Sequence, residues 1–357
     1  MTMSKKRNPN IELLRILSMI MIVYSHYSTH SNWDFPDYFS KRTIIATYFS
    51  NFGKIGVIIF ILITGYFYSQ QDLKLKKILH LSNIARFYSI LSLILVVLIA
   101  NGRQISIPEI IKSIFPISFN NYWFLTLFTI ILLLNPILKP FLLSQNRRKK
   151  LKITSLLIIV VHIPFLIGFL SQTDDYFSPS LELAFIYTIL VGDLIKCYEH
   201  ELLTRYFKYV VLSFFFSLSL ITYRCIFYQP FLLEKLPKIP NWFLIGSESI
   251  NALIFGCATF ILIKKIKLTK VKTILFLSPV VFDVYLIHDN NYMRPFIWQV
   301  IFPNKSFFNS PYLLAISFLE PIVVFSLCIA LALLRQKIFK IIKLILSKYS
   351  HVKTDVV

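Results

Sequence analysis

The chain has 357 residues, of which 56% are apolar, 16% aromatic and only 15% charged, with a formal net charge of +21. Soluble domains carry nearer a quarter charged residues, so a single soluble globule is excluded. The surplus of Lys and Arg would suit nucleic acid if it formed a patch, but the cations lie between repeated apolar runs of membrane-crossing length, about 17–25 residues.

In chain order these runs fall at 11–27, 53–69, 84–100, 122–143, 153–170, 181–197, 206–228, 243–263, 274–288 and 312–334. They are continuous rather than alternating, so each satisfies its backbone as helix and not as barrel strand. The fold class is an all-α integral membrane protein of about ten transmembrane helices. Of the 38 Lys and Arg, 26 lie in the amino end, the even-numbered loops and the tail, and 9 in the odd-numbered loops. Arg15, Lys139 and Arg224 lie in or at the ends of spans. This alternation places both termini in the cytoplasm and leaves no role for nucleic acid.

The flank Lys5-Lys6-Arg7 is basic like that of a signal peptide. No A-x-A site follows it, and Glu12 and Arg15 interrupt the apolar run, so the first span is read as retained. The four cysteines (Cys197, Cys225, Cys257, Cys328) form no CxxC and read as small buried apolar residues. Residues 1–335 read as one polytopic domain without repeat or linker. Residues 336–357, with Lys337, Lys340 and Lys343, read as a basic amphipathic tail lying on the lipids of the cytoplasmic leaflet.

Ionisable groups at membrane depth are costly, so each is a candidate for function. The first span holds Glu12, Arg15 and His26. Arg15 and His26 are 11 residues apart, which puts them on one helix face but about 16 Å apart along the axis. Glu12 pairs with Arg15 at i,i+3. The blander readings are snorkelling for Glu12 and Arg15 and an interfacial histidine for His26. Toward the outer surface lie Asn120, Asn121, Tyr122, Trp123, Glu182, Arg224, Glu248, His288, Asp289, Arg294 and Glu320; toward the inner surface lie Arg86 and Asp193. Arg224 with Glu248 also reads as a structural ion pair, and Tyr122-Trp123 as an aromatic belt. His26 and His30 have i,i+4 spacing but no HExxH or third ligand, so no metal is expected. The sequence holds no P-loop, GxGxxG or GxSxG.

Several segments together resemble the integral-membrane acyltransferase-3 family. Arg7-Asn8, Ile11-Glu12-Leu13-Leu14-Arg15-Ile16 and Tyr24-Ser25-His26-Tyr27 are similar to its first span, where a basic residue, ten others and a histidine recur. Gly53-Lys54-Ile55-Gly56-Val57-Ile58-Ile59-Phe60 with Thr64-Gly65-Tyr66 resembles its glycine-rich helix. Tyr122-Trp123-Phe124 with Asn135-Pro136 resembles its fourth span, and Val284-Tyr285-Leu286-Ile287-His288 its late YLIH signature. The likeness runs in order over the whole chain and is greatest to bacterial exopolysaccharide and capsule O-acetyltransferases. Two positions depart from it. Of an Arg-x-x-Arg entering the third span only Arg86 is present, in Asn83-Ile84-Ala85-Arg86, and Asp283 stands where a small residue is usual.

The resemblance implies a multi-pass enzyme of a bacterial plasma membrane. It would move an acetyl group from cytoplasmic acetyl-CoA to a sugar hydroxyl of a cell-surface glycan or its lipid-linked precursor. His26 would be the general base, with Arg15 and Glu12 beside it in the catalytic set. Arg86 and Arg15 would meet the phosphates of the acyl-CoA. Asn121, Tyr122, Trp123 and His288 would face the acceptor, with Trp123 and Trp33 offering faces for a sugar ring. The competing reading is a glycan exporter or flippase without enzymatic activity. Internal repeats would favour the exporter, and the chain has none.

Overall fold

The computed structural model describes residues 7–99, 104–170, 181–227 and 249–354, with side chains up to 163 in the second stretch and 345 in the last. Lys5, Lys6, Arg103, Lys235, Lys238 and Glu248 lie outside the described residues, as do parts of the predicted spans at 228 and 243–248. Every regular element among the described residues is helical. They are α1 (Pro9–His30), α2 (Lys41–Tyr48), α3 (Phe52–Tyr68), α4 (Leu75–Ile99), α5 (Ile107–Ile114), α6 (Trp123–Leu133), α7 (Asn135–Ser144) and α8 (Arg147–Leu170). There follow α9 (Leu181–Cys197), α10 (Glu199–Leu203), α11 (Phe207–Phe227), α12 (Ile250–Lys265), α13 (Val271–Leu277), α14 (Val281–His288) and α15 (Leu313–Thr354). Short helical turns fill 293–307 between the last two.

The first helix starts at Pro9, two residues ahead of the apolar run. Asn8 caps it, its side-chain oxygen accepting from the amides of Asn10 (3.0 Å) and Ile11 (3.4 Å), and Pro9 occupies the first turn. α1 then runs through the middle of the bundle and feeds two apolar cores. Met19, Val23 and Tyr27 pack with Val57 and Ile61 of α3, Tyr122, and Val284 and Leu286 of α14. Ile11 and Leu14 pack with Ile58 and Leu62 of α3, Tyr187 of α9 and Phe255 of α12.

Where α3 meets α9 the two backbones touch. A Cβ on Gly65 would lie 2.3 Å from the carbonyl oxygen of Ile189, and one on Gly192 would lie 2.5 Å from that of Leu62. Only glycine allows this approach, which gives dispersion contact where no hydrophobic force drives helices together in lipid.

Many large apolar side chains lie on the outside of the bundle. Leu98, Leu212, Phe276 and Leu319 are more than half exposed, more apolar surface than a soluble monomer leaves in water. Among the described residues five helical segments are long and apolar enough to cross a membrane: Lys41–Tyr68, Leu75–Ile99, Phe207–Phe227, Val271–His288 and Leu313–Ile345. The pair Trp123–Leu133 and Asn135–Ser144, bent by 56°, makes a sixth if it is one span. The other segments expected to span, α1, α8, α9 and α12, are helical too. α1 is diluted by Glu12, Arg15, His26 and its serines, while α9 and α12, at 17 and 16 residues, are short for a crossing of about 30 Å.

Some boundaries differ from those expected. The third span begins at Leu75 rather than 84, because nothing in 75–83 breaks the helix. Lys41 and Arg42, expected in a loop, open the helical segment that leads into α3. The ninth span is divided into α13, a single 3-10 turn at Ser278–Val280 carrying Pro279, and α14. The boundary expected at 335 falls within α15, one helix of 42 residues. Arg335 is no free tail residue: its guanidinium lies 2.7 Å from Asp283 and donates to Tyr88 at 3.1 Å. Tyr88 donates in turn to Asp283 at 3.0 Å. This explains an acid where a small residue is usual, since Asp283 answers the cation of the last helix.

Candidate active site

α1 presents two groups of polar side chains, one near each end. Near its carboxyl end stands His26. The structure brings to it His288, 262 residues away, the last residue of α14. The Nδ1 of His26 and the Nε2 of His288 are 2.9 Å apart. The Nδ1 of His288 is 2.5 Å from the carbonyl oxygen of Val284. A carbonyl only accepts, so His288 carries a proton on Nδ1, and when its ring is neutral it accepts through Nε2. In that tautomer His26 donates from Nδ1 and keeps the lone pair on its own Nε2.

Asp289 follows directly. Its Oδ1 lies 3.6 Å from the Nδ1 of His26 and accepts from Arg294 at 2.7 and 3.1 Å. Asp289 would thus be the counter-charge to a protonated His26, and Arg294 holds it in place. Tyr122 is fully buried and locks the same segment: its hydroxyl donates to the carbonyl of Leu286 (3.0 Å) and accepts from the side-chain amide of Asn290 (2.8 Å). The side chain of Asp289 is 2% exposed and that of His26 16%, and His288 is wholly buried. Of these three, His26 alone can be reached from outside.

Three other expected site residues have different tasks. Trp123 carries the ammonium of Lys54 at 4.6 Å over its ring, so one of its faces is already covered. Lys54 is also within electrostatic reach of His26 and Asp289. Asn121 donates to the carbonyl of Lys112 (2.8 Å) and shapes the loop that leads into Tyr122. Trp33 donates to the carbonyl of Ser28 (3.0 Å) and packs on Tyr27 and Phe308, so it closes the core rather than facing a cleft. Beyond His30 a polar cleft of 580 Å³ opens, lined by Ser31, Asn32, Asp34, Gln299, Asn304 and Lys305 among others. Gln299 donates to the carbonyl of His30 (3.1 Å), so the cleft begins one turn beyond His26.

Near the amino end of α1, Glu12 is buried between two guanidiniums. Arg15 lies 2.8 Å away, as its i,i+3 spacing suggests, and Arg7 lies 3.3 Å away and also donates to Ser278. Glu12 is thereby a support for Arg15, far from His26. The side chain of Arg15 is 36% exposed and lines a cleft of 470 Å³ with Lys74, Lys77, Thr64, Gln70 and Asn135. Asp72, the acid on this cleft, bonds to Lys139, which holds its carboxyl below the usual range. The lining is cationic and suits a polyanion.

Arg86 is not part of it. It was expected toward the inner surface, to meet the phosphates with Arg15, but the early start of α4 carries it nine residues past Lys77, about 13 Å further along the helix. There its Nε donates to the carbonyl of Ile114 (2.7 Å), at the end of α5, and its Nη1 donates to Asn83 (3.3 Å). Lys77, not Arg86, lines the cleft with Arg15 and Lys74.

No third ligand for His26 and His30 was visible locally in the sequence. The structure supplies one: His26, His30 and Asp289 each offer a ligand atom within 4.8 Å of the others. The sequence placed Asp289 and Arg294 toward the outer surface without pairing them with His26, and Asn290 was passed over. Their signal was a run of polar residues directly after the apolar 284–287. Asp193, on the inner side of the sequence map, pairs with Lys150 at 2.6 Å. Arg224 donates to Asn51 at 2.5 Å.

No curated protein and no solved structure matches the chain. The family model described as an acyltransferase domain, of the acyltransferase-3 type, matches residues 8–335, nearly the whole chain. It takes in both polar groups of α1, the segment 284–294 and Arg335, and on this evidence the chain belongs to the acyltransferase-3 family and is an integral-membrane acyltransferase.

Proposed function

We propose that this protein moves an acetyl group from cytoplasmic acetyl-CoA to a sugar hydroxyl of a cell-surface polysaccharide or its lipid-linked precursor. It does so as a ten-span protein of a bacterial plasma membrane with both termini inside. The observation that carries this reading is the chain Val284 carbonyl, His288, His26, which leaves one basic nitrogen on His26, more exposed than the buried His288 and Asp289.

The donor enters at the cationic cleft, where Arg15, Lys74 and Lys77 meet its phosphates. Its pantetheine arm has to cover the axial distance from Arg15 to His26, about 16 Å. The acceptor enters at the polar cleft beyond His30, whose amide, hydroxyl and carboxylate lining suits a polyol. The Nε2 of His26 takes the proton of the attacking hydroxyl, whose oxygen bonds to the thioester carbonyl carbon. The tetrahedral oxyanion collapses with loss of the CoA thiolate, and His26 returns its proton to that sulfur. During this step the imidazolium faces Asp289, and His288 holds the ring by its Nδ1. A base so placed contributes about 100- to 10,000-fold in rate.

Membranes bearing the protein, given acetyl-CoA labelled in the acetyl group, should pass label to the extracted glycan fraction. Label in another fraction with unlabelled glycan would move the acetyl group to a different acceptor, and no protein-dependent label anywhere would overturn acetyl-CoA as donor.

A further inference from the structure

The cluster around His26 has a second chemistry that acyl transfer does not use. His30 stands one turn beyond His26 on the same face of α1, with ring centres 5.0 Å apart. This i,i+4 pair is a preformed helical chelate, and Asp289 reaches it from the end of α14. One ligand atom from each of the three residues lies within 4.8 Å of the others. Ligands about 2.0–2.1 Å from a tetrahedral zinc ion are roughly 3.4 Å apart, so separations that reach 4.8 Å must close by up to about 1.4 Å, a shift that side-chain rotation can supply.

The donor set also selects among ions. Arg294 already neutralises Asp289, and Lys54 is in electrostatic reach. A hard cation such as Mg2+, which binds through oxygen and charge, gains little here. A transition ion bonds through the two imidazole lone pairs, which neighbouring cations do not remove.

We propose that His26, His30 and Asp289 form a binding site for a divalent transition ion of the zinc type, and that an ion bound there inhibits the enzyme. Whichever nitrogen of His26 binds, the lone pair that would accept the hydroxyl proton is taken. The site is open, with three protein ligands, and holds its ion less tightly than a closed four-ligand site. The inhibitory half of the proposal rests on His26 as general base; the binding half does not.

The test uses the full-length protein in detergent, with Co2+ as spectroscopic probe and Zn2+ as competitor and inhibitor. Wild type should develop visible cobalt absorption at one equivalent, lose it to Zn2+ but not to Mg2+, and be inhibited by Zn2+. His30→Ala and the near-isosteric His30→Gln should keep their helical circular dichroism and basal rate. Both should bind at least about tenfold more weakly, the low end of what losing even a supporting residue costs, and both should escape inhibition. Equal affinity in wild type and both His30 variants, or no cobalt band in wild type, would overturn the site. If binding needs His30 but Zn2+ leaves the rate untouched, the inhibitory half falls, and with it the role of His26 as base.

Discussion

Arg15 and Arg86 are both arginines on apolar helices, yet their surroundings assign them opposite tasks. Arg15 is oriented by Glu12 and open to the cationic cleft; Arg86 is spent on the carbonyl of Ile114 and on Asn83. Arg15→Ala should raise the apparent KM for acetyl-CoA by about tenfold or more, the worth of one charge-assisted contact, with little change in melting temperature. Arg86→Ala should do the reverse, lowering stability by about 1–3 kcal/mol through the carbonyl it leaves unpaired while donor affinity stays the same. Substrate titrations and thermal unfolding of both variants check this, and a large KM effect from Arg86→Ala alone would return the donor site to α4. At this scale the sequence was partly legible. Glu12 pairs with Arg15 as its i,i+3 spacing suggests, and both lie on the same helix as His26. The partners of His26 were not legible as partners, because Asp289 and His288 reach it only through the packing of α14 on α1.

At the scale of elements, the pair Asp283–Arg335 ties α15 to α14, the helix that carries His288. Both side chains are nearly buried, at 4% and 10% exposed. Breaking a buried pair from one side leaves a charge without a partner and costs about 3–5 kcal/mol, whereas replacing both sides with apolar groups is often neutral. Arg335→Met alone should therefore destabilise strongly, and Arg335→Met with Asp283→Leu should recover most of the loss in thermal unfolding. Equal stability of the single and double variants would show that the pair does not hold the helix. Helix types could be read from the apolar runs, but helix starts and breaks could not. The sequence 75–83 is polar enough to look like a loop, yet it continues α4. Pro279, one residue within a convincing apolar run, divides the ninth span.

At the scale of the molecule, the distribution of cations and the two clefts at opposite ends of α1 fit one layout, in which the proposed donor and acceptor would arrive from opposite sides. In intact cells, single cysteines placed at 147–152 and at 264–272 should resist an impermeant thiol reagent and react only after the membrane is opened. Labelling of either loop from outside would overturn the inside placement of both termini and with it the side assigned to acetyl-CoA.

The central claim is that His26 is the base. The measurement that tests it most directly is the O-acetyl content, by NMR, of polymer purified from cells carrying wild-type protein, His26→Ala or His26→Gln. The two variants should insert at normal levels and leave the polymer without acetyl signals, since even the low end of a base's contribution, about 100-fold, is enough to lose the modification. A histidine that merely sits at the interface would tolerate Gln, and wild-type acetylation in both variants would contradict the account.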